Sequence, residues 1–352
     1  MRSEIQVGVI GAGANSTLHH IPKLQAMENV SVVGVCNRTR ESGDRVADEY
    51  AIPQVYEKWL AMVNDDAIDA IVIGTWPYMH CPIACAALEA GKHVMTEARM
   101  AMNAGEAHQM MKVSEARPEL VAQVVPSPMT LRFDRTIRRL VDEGYLGELR
   151  VVDIDGSTSS FPDLAATMTW RQDIRLSGMN IMSMGIWYEA MARWVGHATG
   201  VSAHTSVFVD TRRDAEGQIR EIEVPDHVDI VVKLAGGAHA HLRFSDTTAF
   251  SAGANTASLY GTEGMLHLDL LADELCGARR GDRAPAPIKI PEDEAQAWRV
   301  EEEFIGAIRG QEAIRLTSFR EGVRYMEFTE AVGRSAKLGQ EVGLPLEWAS
   351  TE

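Results

Sequence analysis

Short apolar runs and segments of helical periodicity alternate through the first 125 residues. Strand-like runs occur at residues 5–10, 31–36, 67–74, 92–97 and 120–125. The run at 67–74 is apolar on both faces, as expected for a strand buried within a parallel sheet. Because strands and helices alternate, the pattern predicts right-handed βαβ units and a doubly wound parallel sheet.

The pattern changes after residue 125. A connecting helix is expected at 134–148, and strands with period-two alternation and hairpin-like turns follow it. One helix interrupts these strands near 178–195, and a long helix is expected near the C-terminus. We therefore predict an α/β chain with two domains: residues 1–125 carry the parallel sheet, and residues 126–352 form an α+β domain with an open, mostly antiparallel sheet.

Composition and charge narrow the possible partners. The 352 residues are 45% apolar and carry a formal net charge of −16, so nucleic acid and anionic membrane surfaces are not expected partners. No apolar run reaches the length of a membrane span. The four cysteines are few and scattered, which indicates a reducing, cytoplasmic location without a disulfide framework. No cluster of histidine, cysteine and carboxylate residues suggests a metal site.

A glycine-rich turn follows the first predicted strand directly. The turn reads Gly11-Ala12-Gly13-Ala14-Asn15 and opens a helix, which is the position of a dinucleotide-binding loop. Gly11 permits the tight turn, and Gly13 lets the backbone approach a pyrophosphate at the helix N-terminus. A purely structural turn is the alternative. The loop therefore predicts a nicotinamide dinucleotide as cofactor, with Gly11, Gly13, Ala14 and Asn15 in contact with it.

The end of the second predicted strand indicates which nicotinamide cofactor is bound. NAD sites usually carry a carboxylate there, which accepts from the ribose 2′-hydroxyl. This chain has Asn37, Arg38, Thr39 and Arg40 instead. These side chains favour a 2′-phosphate, so we predict NADP(H) in preference to NAD(H). Alternatively, the two arginines only begin a solvated helix.

Further candidate ligands follow the later strands of the parallel sheet. Thr75 and Trp76 come after the strand 67–74, His80 opens the next helix, and Glu97 ends the strand 92–97. Ligands of open α/β sheets bind outside the carboxyl ends of the strands. We therefore expect these side chains to contact the cofactor, with Glu97 near the nicotinamide.

A series of landmarks runs along nearly the whole chain: VGVIGAGAN, DAIVIGTWPYMH, AALEAGKHVMTE, LVDEGYLGELR, TWRQDIRLSG, GIWYEAMARWVG, YGTEGMLHLD and EAVGRSAKLGQEV. In sequence and in order, these landmarks resemble the glucose–fructose oxidoreductase / inositol dehydrogenase / MocA (Gfo/Idh/MocA) family. The resemblance implies a Rossmann domain followed by an α/β domain with an open sheet. It also implies a nicotinamide cofactor, sugar-like or polyol substrates, and a homodimer or homotetramer built through that sheet.

The usual catalytic positions of this family are altered here. Where the family has Glu-Lys-Pro, this chain has Glu97, Ala98 and Arg99. Where the family has Asp-x-Gly-x-His, residues 183–187 read Ser-Met-Gly-Ile-Trp. The lysine, aspartate and histidine that the family uses are all absent, which indicates altered chemistry or an altered substrate.

Three other side chains are candidates for moving the proton that hydride transfer requires. Tyr188 neighbours the missing histidine, Arg99 neighbours the missing lysine, and His80 opens a helix near the predicted cofactor. Each has a plainer interpretation: Tyr188 as a core residue, His80 as a helix cap, and Arg99 as a ligand of a phosphate or a surface carboxylate.

Aromatic and polar residues of the second domain are candidates for binding the substrate. Trp170, Arg171 and Asp173 keep a WRxD pattern typical of the family, and Trp187 and Tyr188 lie in a methionine-rich segment. This segment is either an adaptable pocket for a bulky, glycoside-like substrate or ordinary core packing.

The combined hypothesis is an NADP(H)-dependent oxidoreductase that acts on a sugar, polyol or glycoside-like compound and uses a non-standard proton relay. Two alternatives remain open. One is a redox-assisted lyase or glycosidase that keeps its cofactor tightly bound. The other is a non-catalytic NADP(H)-binding sensor.

Overall fold

The computed structural model describes residues 4–158, 160–251 and 254–347, and the chain divides into two compact units. Both units are discontinuous in sequence. The first unit comprises Met1–Pro126, Arg175–Gly178 and Arg299–Met326, and the second comprises Ser127–Ile174, Met179–Trp298 and Glu327–Glu352.

This division corrects part of the predicted domain organisation. The sequence pattern assigns all of 126–352 to the second domain, whereas the segments 175–178 and 299–326 pack within the first unit. In the second of these segments, Glu303 accepts a hydrogen bond from the buried Gln123 side chain at 3.0 Å. A change of hydrophobic periodicity cannot reveal a chain that returns to an earlier domain, because the returning segment has ordinary helical periodicity.

The first unit is built on a six-stranded parallel sheet with strand order β3-β2-β1-β4-β5-β6. This order reverses direction between β1 and β4, and all four residues of β4 are buried. The predicted parallel, doubly wound sheet is therefore confirmed. The strands are β1 (Ile5–Ile10), β2 (Val30–Cys36), β3 (Gln54–Val55), β4 (Ala70–Ile73), β5 (His93–Thr96) and β6 (Ala122–Val124).

Helices join the strands of this sheet. A π-helical turn, Ser16–His20, leads directly into the first α-helix. The Thr39 hydroxyl caps the second helix by accepting from the Ser42 N–H at 3.2 Å. The helices between strands are α1 (Ile21–Gln25), α2 (Arg40–Tyr50), α3 (Trp59–Val63), α4 (His80–Glu89) and α5 (Ala104–Glu115).

The second unit contains a nine-stranded mixed sheet with strand order β16-β15-β14-β13-β7-β12-β11-β8-β17. Only the β12–β7 pair is parallel among these pairings, so the expected mostly antiparallel sheet is confirmed. A separate hairpin pairs β9 with β10. The strands are β7 (Leu149–Asp155), β8 (Ala198–Ser206), β9 (Thr211–Arg213), β10 (Ile219–Glu221), β11 (His227–Leu234), β12 (His239–Ser245), β13 (Thr256–Gly261), β14 (Gly264–Asp269), β15 (Glu274–Arg279), β16 (Ala286–Pro287) and β17 (Val342–Gly343).

The remaining helices are α6 (Leu131–Asp142), α7 (Ile174–Ser177), α8 (Met184–Val195), α9 (Val300–Ile308) and α10 (Phe319–Leu338). The buried Asp134 side chain of α6 accepts hydrogen bonds from Trp194 Nε1 at 2.7 Å and Arg193 Nε at 2.8 Å. A buried carboxylate is costly unless it is paired, so these two bonds hold α6 and α8 together.

One face of the nine-stranded sheet is apolar and buried, and the other is polar. Along β11, Val228, Ile230 and Val232 are buried and alternate with exposed residues such as Asp229. This period-two pattern is typical of an antiparallel sheet with one face packed on a core. Assembly of a homodimer or homotetramer through this sheet stays a prediction.

The described part of the chain contains no helix that is both long enough and apolar enough to cross a bilayer. All four cysteines are free thiols, and Cys36, Cys81 and Cys85 are buried. Burial raises the pKa of the Cys36 thiol, which disfavours the reactive thiolate. Their interpretation as packing residues is consistent with these positions.

We expect Gly156→Ala to destabilise the second unit by about 1–3 kcal/mol, because an added methyl overpacks the core. A Cβ at Gly156 would lie 2.5 Å from Phe244 Cδ1 and 2.9 Å from Trp187 Cδ1. Gly333→Ala is the matched control, since its Cβ would meet nothing nearer than 3.6 Å. Urea unfolding measures both. Equal stability of the two variants would contradict this packing.

Candidate functional site

The glycine loop packs tightly against the turn that follows β4. Gly11 has a φ of +83°, and a Cβ there would lie 2.6 Å from the Thr75 backbone nitrogen. A Cβ at Gly74 would lie 2.5 Å from Gly11 O. Both glycines are therefore required for the close approach of two loops at the carboxyl edge of the sheet, where strand order reverses.

Asn37, at the end of β2, supports the glycine loop from the side. Its Oδ1 accepts from the Ala12 N–H at 2.7 Å, and its Nδ2 donates to Ser42 Oγ at 3.0 Å. The side-chain amide expected at a 2′-phosphate is thus already used to fix the loop. This geometry corrects the role predicted for Asn37 from cofactor ligand to support of the loop that holds the cofactor.

The other predicted residues at the end of β2 lie at the surface. Arg38 is exposed, and its guanidinium lies 5.2 Å from the Trp76 ring centroid. Such a distance is typical of a cation–π contact. Thr39 caps α2, and Arg40 pairs with Asp44 at 2.7 Å. Arg38 therefore places a positive charge over Trp76, and no carboxylate among the described residues pairs with it.

A dinucleotide fits the space in front of this loop. A Cβ at Gly13 would meet nothing nearer than Gly74 O at 4.0 Å, so the backbone there is open to a ligand. Ala14 and Asn15 are exposed in the first turn of the helical segment 14–25. The buried Thr75 Oγ1 has no hydrogen-bond partner among the described residues. Open backbone, a helix N-terminus and an unpaired hydroxyl suit a pyrophosphate and ribose.

A cluster of charged residues adjoins the loop. His20 is fully buried, and its Nε2 lies 2.9 Å from Glu97 Oε1 while its Nδ1 lies 2.6 Å from Glu301 Oε1. Lys23 Nζ donates to Glu301 Oε2 at 3.0 Å. The Asn15 amide also donates to Glu97 Oε1. The glycine-loop helix, the end of β5 and α9 are joined through this one imidazole.

The cluster changes the protonation of its members. Burial alone lowers the pKa of His20, but the hydrogen bonds and charges of Glu301 and Glu97 outweigh it and raise that pKa to about 9. Burial raises the pKa of both carboxyls, yet contact with His20 brings each below its ordinary value. With Lys23, the group holds two cations and two anions, which is how buried charge is tolerated.

His80 occupies a different environment from the one predicted. It is fully buried, and its Nδ1 and Nε2 lie 2.9 Å from the backbone oxygens of Arg99 and Thr75, respectively. Burial lowers the pKa of His80, and this effect outweighs the backbone oxygens, which raise it. Each ring nitrogen faces a backbone carbonyl oxygen, and the neutral ring donates to one of the two. The structure therefore corrects the expected proton-transfer and cofactor roles: His80 fixes the turns after β4 and β5.

Tyr188 and Trp187 lie in the core of the second unit. The Tyr188 ring stacks on Phe328 with centroids 3.8 Å apart, and its hydroxyl accepts from the Ala198 N–H at 3.2 Å. Trp187 is fully buried beside Gly156. Neither side chain presents a free face, so the geometry corrects their expected substrate contacts and the proton role of Tyr188. A helical pattern does not distinguish a buried aromatic from one that lines a pocket.

The remaining predicted substrate residues stay near the surface of the second unit. Trp170 is half-buried, and the Arg171 guanidinium lies 4.4 Å from its ring centroid. Both belong to a short 3-10 turn, and Asp173 follows it directly. Arg99 is half-buried in the first unit. Roles for these four residues in substrate binding or proton transfer stay predictions.

Sequence reasoning missed the charge cluster. It did not single out His20, Lys23 or Glu301 as functional residues. Glu301 lies 281 residues after His20, so no local pattern connects them. The only available signal was a histidine one turn beyond the glycine loop, which by itself does not indicate a charged partner.

The protonated His20 should make stability depend on pH. Because its folded pKa is raised to about 9, its contribution is complete below the unfolded value near 6.5 and is lost as pH rises through about 9. The full contribution is about 3 kcal/mol. The charged groups that face it are Glu97, Glu301 and, through Glu301, Lys23.

We expect His20→Gln to be less stable than the parent chain at pH 7, and the difference to shrink towards pH 10. Urea unfolding at both values measures it. His241→Gln serves as the control, since this exposed ring lies far from the cluster in sequence and pairs with Asp153 at 3.1 Å. A difference that is constant between pH 7 and pH 10 would contradict a charged His20.

Comparison with known proteins agrees with this architecture. A family model described as an oxidoreductase family with an NAD-binding Rossmann fold matches residues 5–124. A second model, described as the GFO/IDH/MocA C-terminal domain, matches residues 135–267. The two matches cover the parallel sheet with its glycine loop and most of the mixed sheet.

Individual relatives are more distant. Trans-1,2-dihydrobenzene-1,2-diol dehydrogenase of Homo sapiens is 26% identical over 267 residues, 75% of this chain and 72% of the relative. A levoglucosan dehydrogenase in complex with NADH and levoglucosan has a TM-score of 0.81 at 21% identity, covering 97% of this chain and 99% of that one. The aldose–aldose oxidoreductase of Caulobacter crescentus has a TM-score of 0.77 at 22% identity, covering 97% and 100%. From the family models and the shared fold, this chain belongs to the GFO/IDH/MocA family of oxidoreductases.

Proposed function

We propose that the chain is an NADP(H)-dependent oxidoreductase that acts on a sugar, polyol or glycoside-like compound. The preference for NADP(H) rests on Arg38, whose exposed guanidinium lies over the Trp76 ring. The end of β2, where Arg38 lies, also lacks the carboxylate typical of NAD sites. Planar guanidinium groups pair well with phosphate oxygens. Arg38 is therefore the residue that would bind the 2′-phosphate, and Trp76 would hold its guanidinium in position.

Other residues would bind the pyrophosphate and the nicotinamide half of the dinucleotide. Gly13, Ala14 and the N-terminus of the segment 14–25 would bind the pyrophosphate, and Thr75 and Glu97 would contact the nicotinamide half. When bound, the cofactor supplies or accepts a hydride.

The proton that accompanies the hydride needs a different carrier from the usual lysine. Ala98 cannot exchange a proton, and the polar atoms of the buried His80 and Tyr188 face backbone groups. Arg99, two residues after Glu97, remains as a polar candidate in the first unit. We propose that the substrate's proton is handled at this edge by Arg99 or water.

The substrate class is supported by two independent arguments. Relatives in the same family carry diol and sugar substrates in their names. In the second unit, Trp170 with Arg171 over its ring offers an apolar face next to charged groups. Aromatic faces with adjacent polar groups suit the C–H faces and hydroxyls of sugars. We propose Trp170, Arg171 and Asp173 as substrate contacts.

We expect NADPH to bind more tightly than NADH, and Arg38→Ala to weaken NADPH by about tenfold while changing NADH by less than about twofold, since one charge-assisted contact to the phosphate is lost. Arg45→Ala, an exposed arginine on α2, should change neither. Fluorescence titration of the reduced cofactors gives the dissociation constants. Tighter NADH in the parent chain would overturn the cofactor assignment.

We expect the protein to oxidise a member of a panel of aldoses, polyols, diols and anhydrosugars with NADP+, with formation of NADPH at 340 nm matching the carbonyl product found by mass spectrometry. Trp170→Ala should raise KM more than it lowers kcat, because it removes a binding surface. Product without net NADPH would favour redox-assisted elimination or glycosidic cleavage. Cofactor binding without any product would favour a sensor.

A further inference from the structure

The Glu97 carboxylate is held from one side only. Its Oε1 accepts from His20 Nε2 at 2.9 Å and from the Asn15 amide, whereas among the described residues Oε2 accepts only from the N–H of Ala98 at 3.3 Å. The side chain is 16% exposed, while His20 behind it is fully buried. The less occupied oxygen is therefore available to a ligand at the carboxyl end of β5.

The partners of His20 fix its charge by geometry. Each ring nitrogen lies within hydrogen-bond distance of a carboxylate oxygen, from Glu97 on one side and Glu301 on the other. An ionised carboxylate only accepts hydrogen bonds, so with both glutamates ionised both ring nitrogens donate, and this requires the imidazolium. The raised pKa of His20 is consistent with that state.

The order of strands relates Glu97 to the cofactor. The adenosine ribose of a dinucleotide belongs with the end of β2, and the pyrophosphate with the loop after β1. β4 and β5 lie on the other side of β1 from β2. The nicotinamide half of the proposed cofactor therefore belongs with the ends of β4 and β5, and Glu97 directly follows β5.

We propose that His20 is a positioning residue, a buried cation clamped between Glu97 and Glu301 that keeps the Glu97 carboxylate charged and oriented toward the nicotinamide end of the cofactor. The inference rests on the proposed function. The oxidised nicotinamide ring carries a positive charge and the reduced ring carries none. A fixed carboxylate beside the ring therefore favours the oxidised cofactor, and the protein binds NADP+ more tightly than it would without this charge.

This role differs from that of a proton carrier. A carboxylate whose pKa is lowered by a neighbouring cation is a weak base, so Glu97 acts chiefly through its charge and its hydrogen-bond acceptor. Glu301 and Lys23 complete the charge cluster. Glu301 supplies the second carboxylate that keeps His20 protonated, and Lys23, bonded to Glu301 at 3.0 Å, balances the added negative charge.

The test is the ratio of the dissociation constants of NADP+ and NADPH, measured by calorimetry on the full chain. Glu97→Gln keeps the size and one acceptor of the side chain but removes the charge. We expect it to weaken NADP+ about five- to tenfold and NADPH less than about twofold, the scale of a partly exposed charge pair. Glu115→Gln, an exposed glutamate on α5 paired with Arg320, should leave both constants unchanged.

His20→Gln tests the positioning role separately. We expect the same selective loss of NADP+ affinity, because Glu97 loses the cation that holds it, whereas a merely structural defect would weaken both forms equally. In the parent chain, the preference should also decline as pH rises through about 9, where His20 loses its proton. If His20→Gln does not fold, the positioning role is still tested by two measurements. These are the pH profile of the parent chain and the dissociation constants of Glu97→Gln.

The possible outcomes distinguish the proposed function from the positioning role proposed for His20. If the parent chain binds neither NADP+ nor NADPH, the proposed function fails, and this inference fails with it. If it binds both, and Glu97→Gln changes both constants equally or changes neither, the inference alone is overturned.

Discussion

The imidazole of His20 is the constraint on which the cofactor edge of the first unit depends. It is buried, it bonds to two carboxylates at once, and it connects three segments that are far apart in sequence. Removing His20 would leave two carboxylates without their common cation, which is strongly destabilising. The glycine-loop helix, the end of β5 and α9 are therefore fixed relative to one another by electrostatics as well as by packing.

The contacts of His20 indicate a role for the altered family motif at 97–99. The alanine at 98 removes the usual proton-transfer lysine, but Glu97 is still held through its Oε1 by Asn15 and His20. The positive charge next to Glu97 is buried behind it and cannot reach a substrate. We infer that the Glu97 carboxylate acts on the cofactor, and that a group other than Glu97 handles the substrate's proton at this edge.

Much of the first unit could be predicted from sequence because its determinants are local. Apolar runs, the glycine spacing at 11 and 13, and the absence of a carboxylate after β2 all lie within short stretches, and the fold they imply is the one observed. Trp187 and Tyr188 could not be assigned correctly, because helical spacing puts a core residue and a pocket residue on the same face. The His20–Glu301 pair could not be found, since only the folded chain brings α9 back to the first unit.

The protonation state of His20 tests the central claim most directly. Nitrogen-edited NMR of the imidazole resonances, with the His20→Gln spectrum as the assignment control, reads it in the intact chain. We expect both ring nitrogens of His20 to be protonated at pH 7.5 and the resonances to titrate near pH 9. A neutral ring at pH 7.5 would contradict the clamped cation and the fixed charge of Glu97 that depends on it.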